Sequence, residues 1–340
     1  MASQETQAID SIIASRRTMM LGGGAALAAL AFVKPAAAAS AVTAYSDNDI
    51  LNFALNLEYL EANFYYLAAF GTTIDVANAA SKAAGAPVIT LNGSVGTAGT
   101  VLVKPNPQVP FKTIQVGSYA VETAIEEGKH VATLQSVLNT AAVAQPALDL
   151  MTSFDILANA AGIGPAFDPF ASDASFVVGA YIFEDVGVSA YHGAAPLIMN
   201  KTILSAAVGI HAVEAYHAGL IRTTILELDP TGSKGLLGYT QKISALRTKL
   251  AQQAPQSPAN PDDPTPDDYG VADGGPGNSV MLGTSMVSRT SIVDADPINV
   301  QSFARSTTQV LNIVTGGGAL TVGAKAKGVF FPNGLNGLFS

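Results

Sequence analysis

Along most of the chain apolar residues dominate, and polar ones return at the three- and four-residue spacings of helices. Ser46-Asp47-Asn48-Asp49 supplies a cap and an acidic first turn, and the apolar pattern behind it predicts a helix over 47–70, stopped at Gly71. The same pattern predicts helices over 116–139, 173–199 and 201–228, the last halted by Asp229-Pro230. A more polar helix is predicted over 239–253. Between the first two helices, residues 72–113 turn to Gly, Thr, Val and scattered prolines, where 89–93 and 100–103 are expected to pair as a hairpin. Residues 140–172, with Pro146, Pro165 and Pro169, read as a crossover with short helical turns. Beyond Ala254 the chain is irregular: 255–276 reads as a surface linker, with Asp262-Asp263 and Asp267-Asp268 in solvated turns rather than a calcium site. One short helix is expected over 301–314, and the apolar ending 328–339 should dock on the helices. These elements predict an all-α fold whose long helices lie within 44–253, with a crossover between the second and third, an inserted loop or hairpin at 72–113 and an irregular extension over 254–340.

Ionisable residues inside the apolar helices change the picture, because an unpartnered buried charge is very costly. The second helix carries Glu127 and His130, the fourth Glu214 and His217, each a Glu-x-x-His pair whose members share one helix face. With four histidines in 340 residues, random placement would give roughly 0.1 such pairs. The first helix places Glu58 seven residues before Tyr65, and the third places Glu184 seven before Tyr191. One Glu from each of two helices and Glu-x-x-His from each of two others is the ligand set of a carboxylate-bridged pair of metal ions. Glu58, Glu127, His130, Glu184, Glu214 and His217 are therefore the expected metal ligands: each imidazole on one ion, two glutamates bridging and two terminal. The alternative is that these acids and imidazoles pair with one another. Glu61 matches Gly187 in the third helix and is expected toward the rim. His211, which matches Ala124, is expected as a hydrogen-bonded neighbour, and Tyr65 and Tyr191 as packing groups, carboxylate partners or redox groups. Glu122, Glu126, Asp185 and His192 read as ordinary polar neighbours.

Composition narrows the chemistry further. The chain has no cysteine, so any metal must be held by oxygen and imidazole, which suits iron, manganese or zinc. A net charge of −9 without basic runs argues against a nucleic-acid partner. At the N-terminus, Ser15-Arg16-Arg17-Thr18-Met19-Met20-Leu21 is similar to a twin-arginine export signal, followed by an apolar run over 19–33 and an Ala-x-Ala cleavage site within Lys34-Pro35-Ala36-Ala37-Ala38-Ala39-Ser40. A run of about 15 residues falls short of the roughly 20 needed to span a bilayer. The expectation is a signal peptide over 1–40, no stable membrane anchor, and a periplasmic or secreted protein exported folded.

The four helices resemble the ferritin-like superfamily. Phe53-Ala54-Leu55-Asn56-Leu57-Glu58-Tyr59-Leu60-Glu61, Phe183-Glu184-Asp185-Val186-Gly187-Val188-Ser189-Ala190-Tyr191 and Phe331-Pro332-Asn333-Gly334 are similar to segments of exported ferritin-like proteins related to plant desiccation-related proteins. The likeness covers about 44–230 by helix pattern and reaches the C-terminus through the last of these segments. It implies a four-helix up-down bundle over 44–253 with a crossover between the second and third helices, and the ligand set within it leads to the expectation of two iron ions, or manganese, or one of each. The expected partners are dioxygen, peroxide or ferrous iron, with a homodimer as the candidate assembly. A non-catalytic protective protein and a manganese catalase-like enzyme are the competing expectations. The insert at 72–113 departs from compact ferritins and weighs against their hollow shell.

Overall fold

The computed structural model describes residues 45–254, 267–271, 279–288, 292–317 and 327–338. The expected export signal and Asp262-Asp263 lie outside these residues. Helix α1 (Asp47–Phe70) starts where Ser46 accepts the Asp49 amide while the Asp49 carboxylate takes the Ser46 amide, and it ends at Gly71, whose φ of 69° few other residues adopt. Almost every residue of α1 from Ile50 onward is buried, so it forms the axis of the core. It packs chiefly on α3 (Ile114–Leu138). A second pair, α6 (Glu184–Ala194) and α7 (Lys201–Leu228), closes the ring through further contacts of α1 with α6 and α3 with α7. The result is the expected four-helix bundle. Among the described residues no helix is long and apolar enough to cross a membrane.

The third bundle helix differs from the expectation over 173–199. It is split into α5 (Asp173–Tyr181) and α6, and a 3₁₀ turn over Ala195–Leu197 ends it. At the split the ladder tightens, with the Ile182 and Phe183 amides bonding Gly179 and Ala180, three residues back. This frees the Tyr181 carbonyl, and Arg247 of α8 (Leu236–Gln252) takes it at 2.6 Å while holding Asp185 at 3.0 Å. One guanidinium thus bridges the end of α5 and the first turn of α6.

Arg247 belongs to a buried ionic lattice that the sequence reading missed. Arg222 pairs with Asp185 at 2.9 Å, Arg247 with Asp268 at 2.6 Å, and Arg305 with Asp268 at 3.1 Å and Asp267 at 3.2 Å. Both Arg222 and Arg247 lie over the Tyr181 ring. Asp267-Asp268 is therefore no solvated turn: Asp268 is buried and ties the extension to the bundle. The chain ending packs there too. Phe330 meets Phe183 and Phe154 at ring separations of 5.0 and 5.4 Å, and Asn336 and Asn56 exchange backbone-to-side-chain bonds of 2.9 Å.

The expected hairpin does not form. Short α2 (Ala79–Ala84) is followed by β1 (Val101–Leu102), which pairs in parallel with β2 (Leu148–Asp149) of the crossover, just before α4 (Thr152–Ala160). Gly99 explains the choice of partner: a Cβ there would collide with the Ala147 backbone, so only glycine lets the insert lie flat on the crossover. The rest of the extension contains the hairpin β3 (Ser279–Leu282) and β4 (Ser285–Ser288), then α9 (Thr307–Val314).

Two ion pairs give a test of the lattice. Replacing Arg247 with Met removes one partner from two buried carboxylates and orphans the Tyr181 carbonyl, and should cost about 3 kcal/mol. Lys104→Met breaks only the exposed pair with Asp168, whose side chains are 31% and 43% exposed, and should cost under about 1 kcal/mol. Urea unfolding of the two variants checks the contrast.

Candidate metal centre

Each bundle helix turns its isolated acid or imidazole toward one point. Glu58 comes from α1, Glu127 and His130 from α3, Glu184 from α6, and Glu214 and His217 from α7. All six are between 0 and 7% exposed. Their donor atoms fall into two groups, each within 4.8 Å: Glu58, Glu127, His130 and Glu214 in one, and Glu127, Glu184, Glu214 and His217 in the other. Glu127 and Glu214 belong to both. His130 Nδ1 lies 3.3 Å from Glu58, 3.4 Å from Glu127 and 3.2 Å from Glu214. His217 Nδ1 lies 2.9 Å from Glu127 and 3.5 Å from Glu184.

The donor set passes a direct test of fit. Glu58 Oε2, both oxygens of Glu127 and of Glu214, Glu184 Oε2 and the Nδ1 atoms of both histidines are buried without a hydrogen-bond partner. The imidazole nitrogens are close to carboxylate oxygens yet not angled at them. Folded proteins rarely leave one such atom, and here a cluster of them faces one small volume. Oxygen and imidazole donors in two overlapping groups are what a pair of divalent ions requires. A model of the ferritin-like domain matches residues 46–227, more than half of the chain. The chain belongs to the ferritin-like domain family. It is 30% identical over 218 residues to desiccation-related protein PCC13-62 of Craterostigma plantagineum, covering 61% of this chain and 63% of that protein, just under two thirds of its length. It is 25% identical over 300 residues to ferritin-like catalase Nec2 of Nesocodon mauritianus, covering 86% of this chain and 84% of that protein. No solved structure matches.

Within this ferritin-like bundle, two tyrosines complete the cluster crosswise. Tyr65 of α1 donates to Glu184 of α6, and Tyr191 of α6 donates to Glu58 of α1. The seven-residue spacing in each helix thus serves the opposite helix. Burial first, and then the carboxylate each one faces, push both phenols well above their ordinary range, so both remain donors.

Three further positions differ from expectation. Glu61 does not lie at the rim; it is 6% exposed. The inference from Gly187 ran the wrong way: a Cβ on Gly187 would collide with Glu214 and touch Glu61 at 3.6 Å, so the glycine makes room for both acids. Glu61 belongs to neither donor group. Glu126 is no ordinary neighbour, since its carboxylate bonds His217 Nε2 at 2.8 Å and is held below its usual range by that bond. Asp185 joins the arginine lattice. His211 stays outside the cluster, half-buried, with its ring 6.0 Å from His192, which is bonded to the Ser302 carbonyl at 2.7 Å.

The electrostatics show what the six groups demand of each other. Burial raises Glu58 to about 7 against the pull of His130, and it also raises Glu184. Burial together with neighbouring acids lifts Glu214 and Glu61 well above the carboxylate range. Burial also acts on Glu127, but the two flanking imidazoles outweigh it and hold this acid below its usual value. Desolvation disfavours both imidazolium ions, yet the surrounding carboxylates override it and raise His130 and His217. A divalent ion would therefore have to compete with protons for this cluster.

The sign of the pH dependence follows. Stripped of metal by a chelator, the folded chain binds more protons than the unfolded one from the free carboxylate value of 4.5 upward, through Glu58 at about 7. Its stability should fall as pH rises from 5 to 8. Loaded with divalent metal, the ligands are already deprotonated, and stability should instead rise over the same interval. Thermal melts of both forms at pH 5, 6, 7 and 8 check the opposite slopes; parallel slopes would show that metal does not replace these protons.

Proposed function

We propose that this chain is an exported ferritin-like protein that holds two iron ions, or iron and manganese, and reacts with dioxygen or peroxide. The observation that carries the reading is the convergence of unpartnered carboxylate and imidazole atoms in two overlapping groups. Bound there, the ions would supply electrons to an oxidant. Glu127 and Glu214 would span the two positions, Glu58 and His130 would complete one, and Glu184 and His217 the other. The tyrosine hydroxyls steady the outer oxygens of Glu58 and Glu184. Similarity to a protein named ferritin-like catalase supports peroxide as a substrate.

Cavities beside the cluster favour a reactive site over a sealed staple. Two apolar cavities, of about 730 and 450 Å³ with their open mouths included, lie along the seam of α1 and α6. Both are lined by Leu57, Glu61 and Gly187, so both end beside the metal ligands. The likeness to a desiccation-related protein supports a second reading, in which the metal pair is structural and the protein protects without turnover.

One experiment separates these readings. Native protein should carry about two metal ions per chain, and its reduced form should change its visible absorption on adding peroxide or dioxygen. Glu58→Gln should lose one ion or both, whereas Glu61→Gln should keep the stoichiometry. Metal without any optical response would leave only the structural staple; no metal would defeat both readings.

Export is tested separately. Replacing Arg16 and Arg17 with Lys should trap the precursor in the cytoplasm, while the unaltered chain should mature near Ala39. Unchanged export of the double variant would count against the twin-arginine route.

A further inference from the structure

The two halves of the bundle repeat each other, and the repeat breaks at one place that matters for the metals. Glu127 and His130 of α3 correspond to Glu214 and His217 of α7. One residue earlier, α3 has Glu126 where α7 has Val213. Glu126 does not serve its own helix: it crosses to α7 and binds His217 Nε2 at 2.8 Å. A histidine held this way carries its proton on Nε2 and turns the lone pair of Nδ1 inward, where that atom lies beside Glu127 and Glu184. His130 presents Nδ1 to the cluster in the same manner. Its Nε2, however, has no hydrogen-bond partner among the described residues.

We propose that Glu126 makes the two metal positions unequal, so that the position of His217 and Glu184 fills first and holds its ion more tightly. The inference rests on the two-metal reading above and deepens it, by naming a positioning residue outside the ligand set. A carboxylate behind an imidazole fixes the ring's orientation and strengthens it as a donor, and losing such a partner weakens metal binding by about 10- to 100-fold. At the position of His130 no carboxylate of the described residues stands behind the ring. The asymmetry is therefore built into the chain and needs no difference between the bound ions.

The test uses the full chain, stripped by a chelator and titrated with Co²⁺, whose visible absorption reports each occupied position. Wild type should bind in two steps, the first at least about 10-fold tighter than the second. Glu126→Gln should weaken the first step by a similar factor, change its spectrum and leave the second step alone. Val213→Glu, which offers His130 an equivalent partner from the opposite helix, should strengthen the second step and draw the two together. Circular dichroism confirms that both variants keep their helices. A single step in wild type, or equal weakening of both steps by Glu126→Gln, would overturn the inference while leaving the two-metal reading intact. Failure of wild type to bind Co²⁺ at all would defeat the metal reading itself.

Discussion

Everything in this bundle answers to one electrostatic constraint: Glu58, Glu127, Glu184 and Glu214 are turned into a space that excludes water. Four carboxylates at close quarters cannot all remain ionised without positive charge among them. Two divalent ions bring four positive charges, which balances the acids and leaves both imidazoles neutral as ligands. Protons are the other solution, and the raised values of His130, His217, Glu58 and Glu214 describe it. The surrounding chain adds dipoles from Tyr65 and Tyr191 and two further acids, Glu61 and Glu126. Its contribution is to hold the negative groups at fixed positions so that a cation finds them ready.

Fixing those positions is the work of a second charged network with the opposite solution. Glu184 and Asp185 are neighbours, and about 100° of helical rotation sends them to different destinations. Glu184 faces the cluster, while Asp185 meets Arg222 and Arg247. The same Arg247 satisfies the carbonyl released where α5 ends. The irregular start of α6 is thus anchored in charge, a firmer fixture than an apolar contact that could slide. The site's one carboxylate from this helix inherits that rigidity.

The sequence reveals features that repeat or obey local rules, and conceals those that depend on distant partners. The cap at Ser46, the stop at Gly71 and the limits of α7 follow from local chemistry, and they agree with the structure. The six inward residues were legible because Glu-x-x-His occurs twice in a histidine-poor chain. The split before Glu184 was not, since Tyr181-Ile182-Phe183 reads as ordinary helix and its cause, Arg247, lies more than sixty residues away. The arginine lattice left a faint trace: Arg222 stands among apolar residues in its helix, and a buried guanidinium requires an acid. The burial of Glu61 could have been drawn from Gly187, had the glycine been read as space rather than as a missing ligand.

The anchoring of α6 by the end of the chain orders events in time. Arg305 bonds the Ser189 side chain and backbone, and Phe330 packs on Phe183, one residue before Glu184. During synthesis, helices α1, α3 and α7 and all six inward groups leave the ribosome well before these braces exist. Until then α6 has Arg222 and Arg247 on Asp185 but lacks this outer support. Arg305 and Phe330 therefore act as a latch on α6. A molecule clipped before Arg305 would keep all six inward groups and lose these braces on α6.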